Sequence, residues 1–200
     1  GAEGLVDEDR RDRLVDHRRG TSKADTHSPP GRLALPPPPR AQAKAAPRTD
    51  LEFFNGLGGF GGEGREYIVK LLGEEVTPAP WINVIANASF GCQVSVEGGG
   101  YTWSLNSREN QLTPGSNDAV CDPIAEVLYV RDEATGEYWT PTRAPRSNPR
   151  GQYSVRHGHG YTIFEHVAEN LVLTLEIFVP LDSAVKISRL RIRDTSGIQR

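Results

Sequence analysis

The sequence predicts an all-β domain of antiparallel strands, preceded by a disordered, proline-rich N-terminal segment. Leu171, Leu173, Leu175, Ile177 and Val179 alternate with Thr174 and Glu176, the period of a half-buried strand. Short apolar runs elsewhere are divided by turn-forming clusters such as residues 97–100 and 132–136. No stretch carries the spacing of a strongly amphipathic helix.

Residues 1–50 hold few large apolar side chains and much Arg, Asp, Pro and Ala. They cannot bury enough apolar surface to repay their ordering entropy. The run Pro36, Pro37, Pro38, Pro39 favours extended polyproline II, a semi-rigid linker. Order is expected from Leu51, giving one sandwich over residues 51–200. Residues 53–60 interleave Phe with Gly and read as an irregular loop pinned by its aromatic rings. With no preceding strand, no following helix and no Lys-Ser/Thr pair, that loop is a poor phosphate cradle.

Strands are expected at residues 67–72, 81–86, 90–96, 101–105, 126–131, 137–139, 153–156 and 161–166. Two longer ones follow. Val185 and Ile187 fall on one parity of the last strand and Leu190 and Ile192 on the other. Such a change of phase predicts a bulge near Ser188 and Arg189. The turn at residues 194–197 has no return strand, which predicts an open edge and a truncated C-terminus. A start at Gly1 and the absence of Met point to a chain processed or cut from something longer.

A net charge of −3 and a pI near 6.0 give no electrostatic case for nucleic acid. No run of about 18 apolar residues suggests membrane contact by this chain. Cys92 and Cys121 fit no zinc or redox spacing and are expected to be buried thiols.

The residue types that hold sugars are aromatic faces, which stack on pyranose C–H faces, and planar amides, guanidinium groups and carboxylates, which pair with hydroxyls. They are densest from Tyr101 to Gln111. Trp103 is the expected platform, with Asn106, Arg108, Glu109 and Asn110 in the following loop and Asn117 and Asp118 beyond it. The plainer alternative makes Tyr101 and Trp103 core residues and Arg108 and Glu109 a surface pair. Glu109, Asp118, Asp122 and Glu126 are carboxylates of the type glycoside hydrolysis uses in pairs, but their separations cannot be read from sequence. No Gly-x-Ser-x-Gly nucleophile elbow is present, and no catalytic residue is assigned. His157 and His159 could chelate a metal with His166 or Asp118, yet no acid or Cys lies at a standard spacing. No metal is expected.

Several stretches together resemble the N-terminal super-β-sandwich of glycoside hydrolase family 94, and more closely that domain in bacterial cyclic β-1,2-glucan synthases. They are residues 53–60, Gly64-Arg65-Glu66-Tyr67, residues 77–87, Gly100-Tyr101-Thr102-Trp103, residues 106–114, Ser116-Asn117-Asp118, Arg156-His157-Gly158 and Phe178-Val179-Pro180-Leu181. Gly115 stands where the family usually has Trp.

The resemblance implies a carbohydrate-binding accessory sandwich that packs on a separate (α/α)6 barrel bearing the general acid and the phosphate site. It implies β-1,2-glucan or a related glucoside as ligand, and no cofactor in this chain. Inorganic phosphate and UDP-glucose would serve the parent enzyme, a hexosyltransferase and a possible homodimer in the bacterial inner membrane with this domain on the cytoplasmic face. A purely structural buttress for the barrel or dimer interface is the alternative.

Overall fold

The structure is a computed structural model that describes residues 50–116 and 118–197. The proline-rich segment expected over residues 1–50 falls outside them apart from Asp50, as do Asn117 and residues 198–200. The described residues form strands and connections with no helix. The strands are β1 (Gly58–Gly61), β2 (Glu66–Leu72), β3 (Ile82–Ala86), β4 (Phe90–Ser95), β5 (Gly100–Ser104), β6 (Val130–Arg131) and β7 (Tyr138–Trp139). They continue with β8 (Gln152–Gly158), β9 (Tyr161–Ala168), β10 (Leu171–Phe178) and β11 (Ile187–Asp194).

A six-stranded antiparallel sheet has the order β1-β2-β8-β9-β10-β11. Its register lines up one apolar row across the strands: Val69, Val155, Phe164, Leu175 and Leu190 are successive partners. The next row, Leu71, Tyr153, His166, Leu173 and Ile192, runs parallel to it. A three-stranded sheet, β3-β4-β5, sets Ile85, Phe90, Cys92, Val94 and Val96 into the same core. Full burial of such side chains stabilises by roughly 1.5–3 kcal/mol each. Asn83 bonds the Gly158 and Tyr161 carbonyls and the Thr162 hydroxyl, and Asn87 bonds the carbonyls of Pro180 and Ser183. Strand β3 therefore crosses from the β8–β9 turn to the segment after β10. A two-stranded ribbon, β6-β7, completes the described strands.

Three expectations are corrected. Part of the glycine-rich loop is strand β1, which pairs with β2 from Gly58↔Val69 to Gly61↔Glu66. A Cβ on Gly58 would come within 2.8 Å of the Ile68 carbonyl, so glycine permits the close pairing rather than preventing it. The bulge expected near Ser188 and Arg189 is absent, because β10 and β11 pair without interruption from Leu171↔Asp194 to Phe178↔Ile187. The change of phase arises because β11 has one face to the core, through Leu190, and an outer face where Ile187 opposes Phe178. Cys92 is buried as expected, but Cys121 is exposed in the connection after β5.

Candidate functional site

The loop that follows β5 is closed on itself. The Ser104 N–H donates to the Asn110 carbonyl, and the Asn110 N–H donates to that of Asn106, both at 3.1 Å. The Asn106 side-chain oxygen accepts the N–H groups of Arg108 and Glu109, each at 2.9 Å, an Asx turn that fixes the loop's tip. Leu105, at φ 59°, makes the reversal, and its N–H donates to the Ser89 carbonyl. The side chains of Arg108 and Glu109 project into solvent, 91% and 74% exposed, and meet each other at 3.3 Å.

Trp103 and Tyr101 share the outer face of the small sheet, with ring centroids 5.4 Å apart. Trp103 is half-buried and lies on Gly91, where a Cβ would come within 2.5 Å of its ring. Tyr101 is buried beneath Gly115. Both aromatic residues are thus packed, and Trp103 keeps an accessible part. Asp118 uses one carboxylate oxygen to accept the N–H groups of Val120 and Cys121. These bonds, Cys121 first, hold its carboxyl below the usual range. Trp103, Asn106, Arg108, Glu109 and Asn110 therefore form one continuous strand-and-loop feature. Asp118 caps a separate turn, and Asn117 lies outside the described residues.

The other carboxylates are also engaged. Asp122 accepts the Ser95 hydroxyl at 2.6 Å, and burial raises its pKa despite that bond. Glu126 accepts hydroxyl bonds from Thr102 at 2.6 Å and Thr113 at 2.8 Å, and pairs with Lys186. Burial pushes the Glu126 carboxyl up, but the bonds from Lys186, Thr102 and Thr113 and the Lys186 charge outweigh it and leave it lowered. Each of the four acids singled out from sequence has a partner other than a second carboxylate.

His157 and His166 are likewise tied down. Nδ1 of His157 meets the Thr162 hydroxyl at 3.0 Å, and Nδ1 of His166 donates to the Thr140 carbonyl at 2.7 Å. Among the described residues no group of three or more His, Cys, Asp or Glu side chains is placed to hold a metal ion. Sequence reasoning missed Lys186, which no local motif marks, and the part that Thr102 and Thr113 play with it around Glu126.

The family model for the glycosyl hydrolase 94 supersandwich domain matches residues 65–200. The chain belongs to that family. The chain is 43% identical over 171 residues to the cyclic beta-(1,2)-glucan synthase NdvB of Rhizobium meliloti (strain 1021), an alignment covering 84% of this chain and 6% of the synthase. It is 29% identical over 141 residues to the N,N'-diacetylchitobiose phosphorylase of Vibrio proteolyticus, covering 70% of this chain and 17% of that enzyme. A 27% match over 123 residues relates it to the 3-O-beta-D-glucopyranosyl-beta-D-glucuronide phosphorylase of Paenibacillus borealis, covering 62% of this chain and 14% of the relative. The supersandwich thus spans only a small part of the curated relatives it matches, and those relatives are bacterial. No helix among the described residues is long and apolar enough to cross a membrane.

Proposed function

We propose that this supersandwich is the saccharide-holding accessory domain of an enzyme of the cyclic β-1,2-glucan synthase type. It supplies one wall of a glucan groove, and the reactive groups belong to an (α/α)6 barrel. One observation carries the reading: Asn106 locks the loop after β5 so that Arg108 and Glu109 project from the edge that bears Trp103. A loop backbone fixed beside an aromatic face lowers the cost of presenting polar groups to hydroxyls, leaving only the side chains to be ordered. Asn110 and Asp118 complete the proposed contacts, with Asn117 between them in sequence. Inorganic phosphate and UDP-glucose are then substrates of the parent, which sits in the bacterial inner membrane with this domain on the cytoplasmic side.

A second reading is favoured by the exposed Arg108–Glu109 pair and by the Asn106 and Asp118 oxygens being spent on backbone N–H groups. These features also suit a loop that only buttresses a neighbouring domain. The test is Arg108→Ala with Glu109→Ala in the full-length parent, measured by phosphorolysis rate and product length. Saccharide contact predicts a raised KM for glucan and a shifted length distribution. Unchanged values with an intact assembly leave the buttress reading.

A further inference from the structure

A second feature lies elsewhere on the domain. The β6–β7 ribbon, the segment from Arg146 to Arg150 and the end of β9 enclose a cleft of about 460 Å³. That size falls within the roughly 300–1,000 Å³ of ordinary small-ligand sites. Glu169, on its rim, belongs to the β9–β10 turn. The segment holding Pro180 and Ser183, which Asn87 fastens beside Ser89 and the loop after β5, follows the other end of β10. The cleft and the Trp103 loop are therefore separate places.

Tyr138 and Trp139 supply the aromatic lining, and Asn148 an amide. Arg146 lies over the Tyr138 ring, 4.2 Å from its centroid. Arg150 meets Glu169 at 3.4 Å, both largely exposed. The charged lining residues are Arg146 and Arg150 against Glu137 and Glu169, so their formal charges cancel.

His166 lies at the floor, with its ring stacked on Tyr153 at 4.2 Å. Burial lowers its pKa, the bond to Thr140 opposing this, so the ring is neutral at neutral pH. Because Nδ1 donates to Thr140, Nε2 carries a lone pair, and no protein group satisfies it. It lies against Gly151, where a Cβ would come within 2.7 Å. The atom is closed to solvent on that side, so it belongs to the packing beneath the cleft and offers a ligand no contact.

We infer that this cleft is a second saccharide subsite, taking a neutral gluco-oligosaccharide between the aromatic lining and the Asn148, Arg150 and Glu169 side chains. Balanced charge disfavours an anion, whereas a polyol pairs its hydroxyls with the amide, guanidinium and carboxylate groups and lays its C–H faces on the aromatic lining. The choice of a glucoside rests on the function proposed above, but the case for a neutral polyol rests on the cleft alone.

The test is NMR titration of the isotope-labelled chain with β-1,2-linked gluco-oligosaccharide, and separately with inorganic phosphate. The indole N–H groups of Trp139 and Trp103 and the His166 ring nitrogens report on the two places independently. Saturable shifts at Trp139 and His166 are expected with sugar and not with phosphate. Tyr138→Ala and Arg150→Ala, both at exposed positions, should each weaken that titration about tenfold. Shifts confined to Trp103 would overturn the subsite while supporting the Trp103 groove, and shifts confined to Trp139 would do the reverse. A response to phosphate alone, no response at Trp139, or full binding by both variants also overturns the subsite.

Discussion

Lys186, just before β11, and Glu126, in the irregular stretch after β5, are joined by an ion pair across 60 residues of sequence. The Lys186 ammonium also donates to the Thr102 hydroxyl at 2.8 Å, while Thr102 and Thr113 both donate to the Glu126 carboxylate. Thr113 in turn accepts the Thr102 N–H at 2.9 Å. The network ties the small sheet, its following loop and the approach to the last strand into one unit.

Removing the lysine alone leaves a carboxylate in place without its cation. Lys186→Met is expected to lower unfolding stability by about 2 kcal/mol, less than the ~3–5 kcal/mol of a fully buried pair. The discount follows from the 35% exposure of the Glu126 side chain, which leaves water to screen it. Urea midpoints of Lys186→Met, Glu126→Leu and the double variant check this. The double variant should lose less than the sum of the two single losses, and strict additivity would contradict the coupling.

That network shows what could and could not be read from the chain. The alternation from Leu171 to Val179 predicted β10 because side-chain direction in a strand is a local, period-two property. The same rule misled at β11, where an edge strand keeps apolar groups on both faces and a phase change needs no bulge. Strand β1 was hidden because glycine, with no side chain to pattern, leaves no periodic signal. The polar tip from Asn106 to Asn110 was visible as a candidate site. That Asn106 spends its oxygen on the N–H groups two and three residues on is a local turn of a kind Asn favours, whereas that Lys186 reaches Glu126 depends on distant chain segments meeting, which composition does not encode.

Acid sensitivity should begin near neutrality rather than in the carboxylate range. Burial depresses His157 from 6.5 to about 4, with the Trp81 backbone opposing. A depressed folded-state pKa gives stability that is fully present above pH 6.5 and is lost as pH falls towards 4, where the unfolded chain alone takes the proton. At 1.36 kcal/mol per unit the loss is on the order of 3 kcal/mol. His166 is shifted the same way by its own burial, and Glu126, held below 4.5, adds a further loss at lower pH. His157→Gln should flatten the stability profile between pH 6.5 and 4, measured by urea unfolding at several pH values. An identical slope in the variant would rule the residue out.

The two thiols should differ sharply in reactivity. Cys92 is buried, and desolvation raises its pKa to about 11, Lys186 pulling it down and Glu126 pushing it up. Cys121 is exposed. A thiol reagent at neutral pH should modify Cys121 in the native chain and reach Cys92 only on unfolding, because the thiolate is the reacting species. Mass spectrometry of peptides after timed labelling gives the answer. Equal rates at both positions would mean that the core around Cys92 opens freely.

Trp103 depends on the absence of a side chain beneath it. Gly91 and Trp103 are directly paired across β4 and β5, and the indole occupies the space where a Cβ at Gly91 would come within 2.5 Å of it. Gly91→Ala must therefore displace the ring or separate the strands, an overpacking that costs typically about 1–3 kcal/mol. The expected result is a lower unfolding midpoint together with a changed near-ultraviolet circular dichroism band, since the indole leaves its site against Tyr101. If Trp103 is a saccharide platform, the same substitution also weakens any sugar response of its indole N–H while leaving that of Trp139 in place. A variant with a native spectrum and midpoint would show that the strands accommodate the methyl without moving the ring.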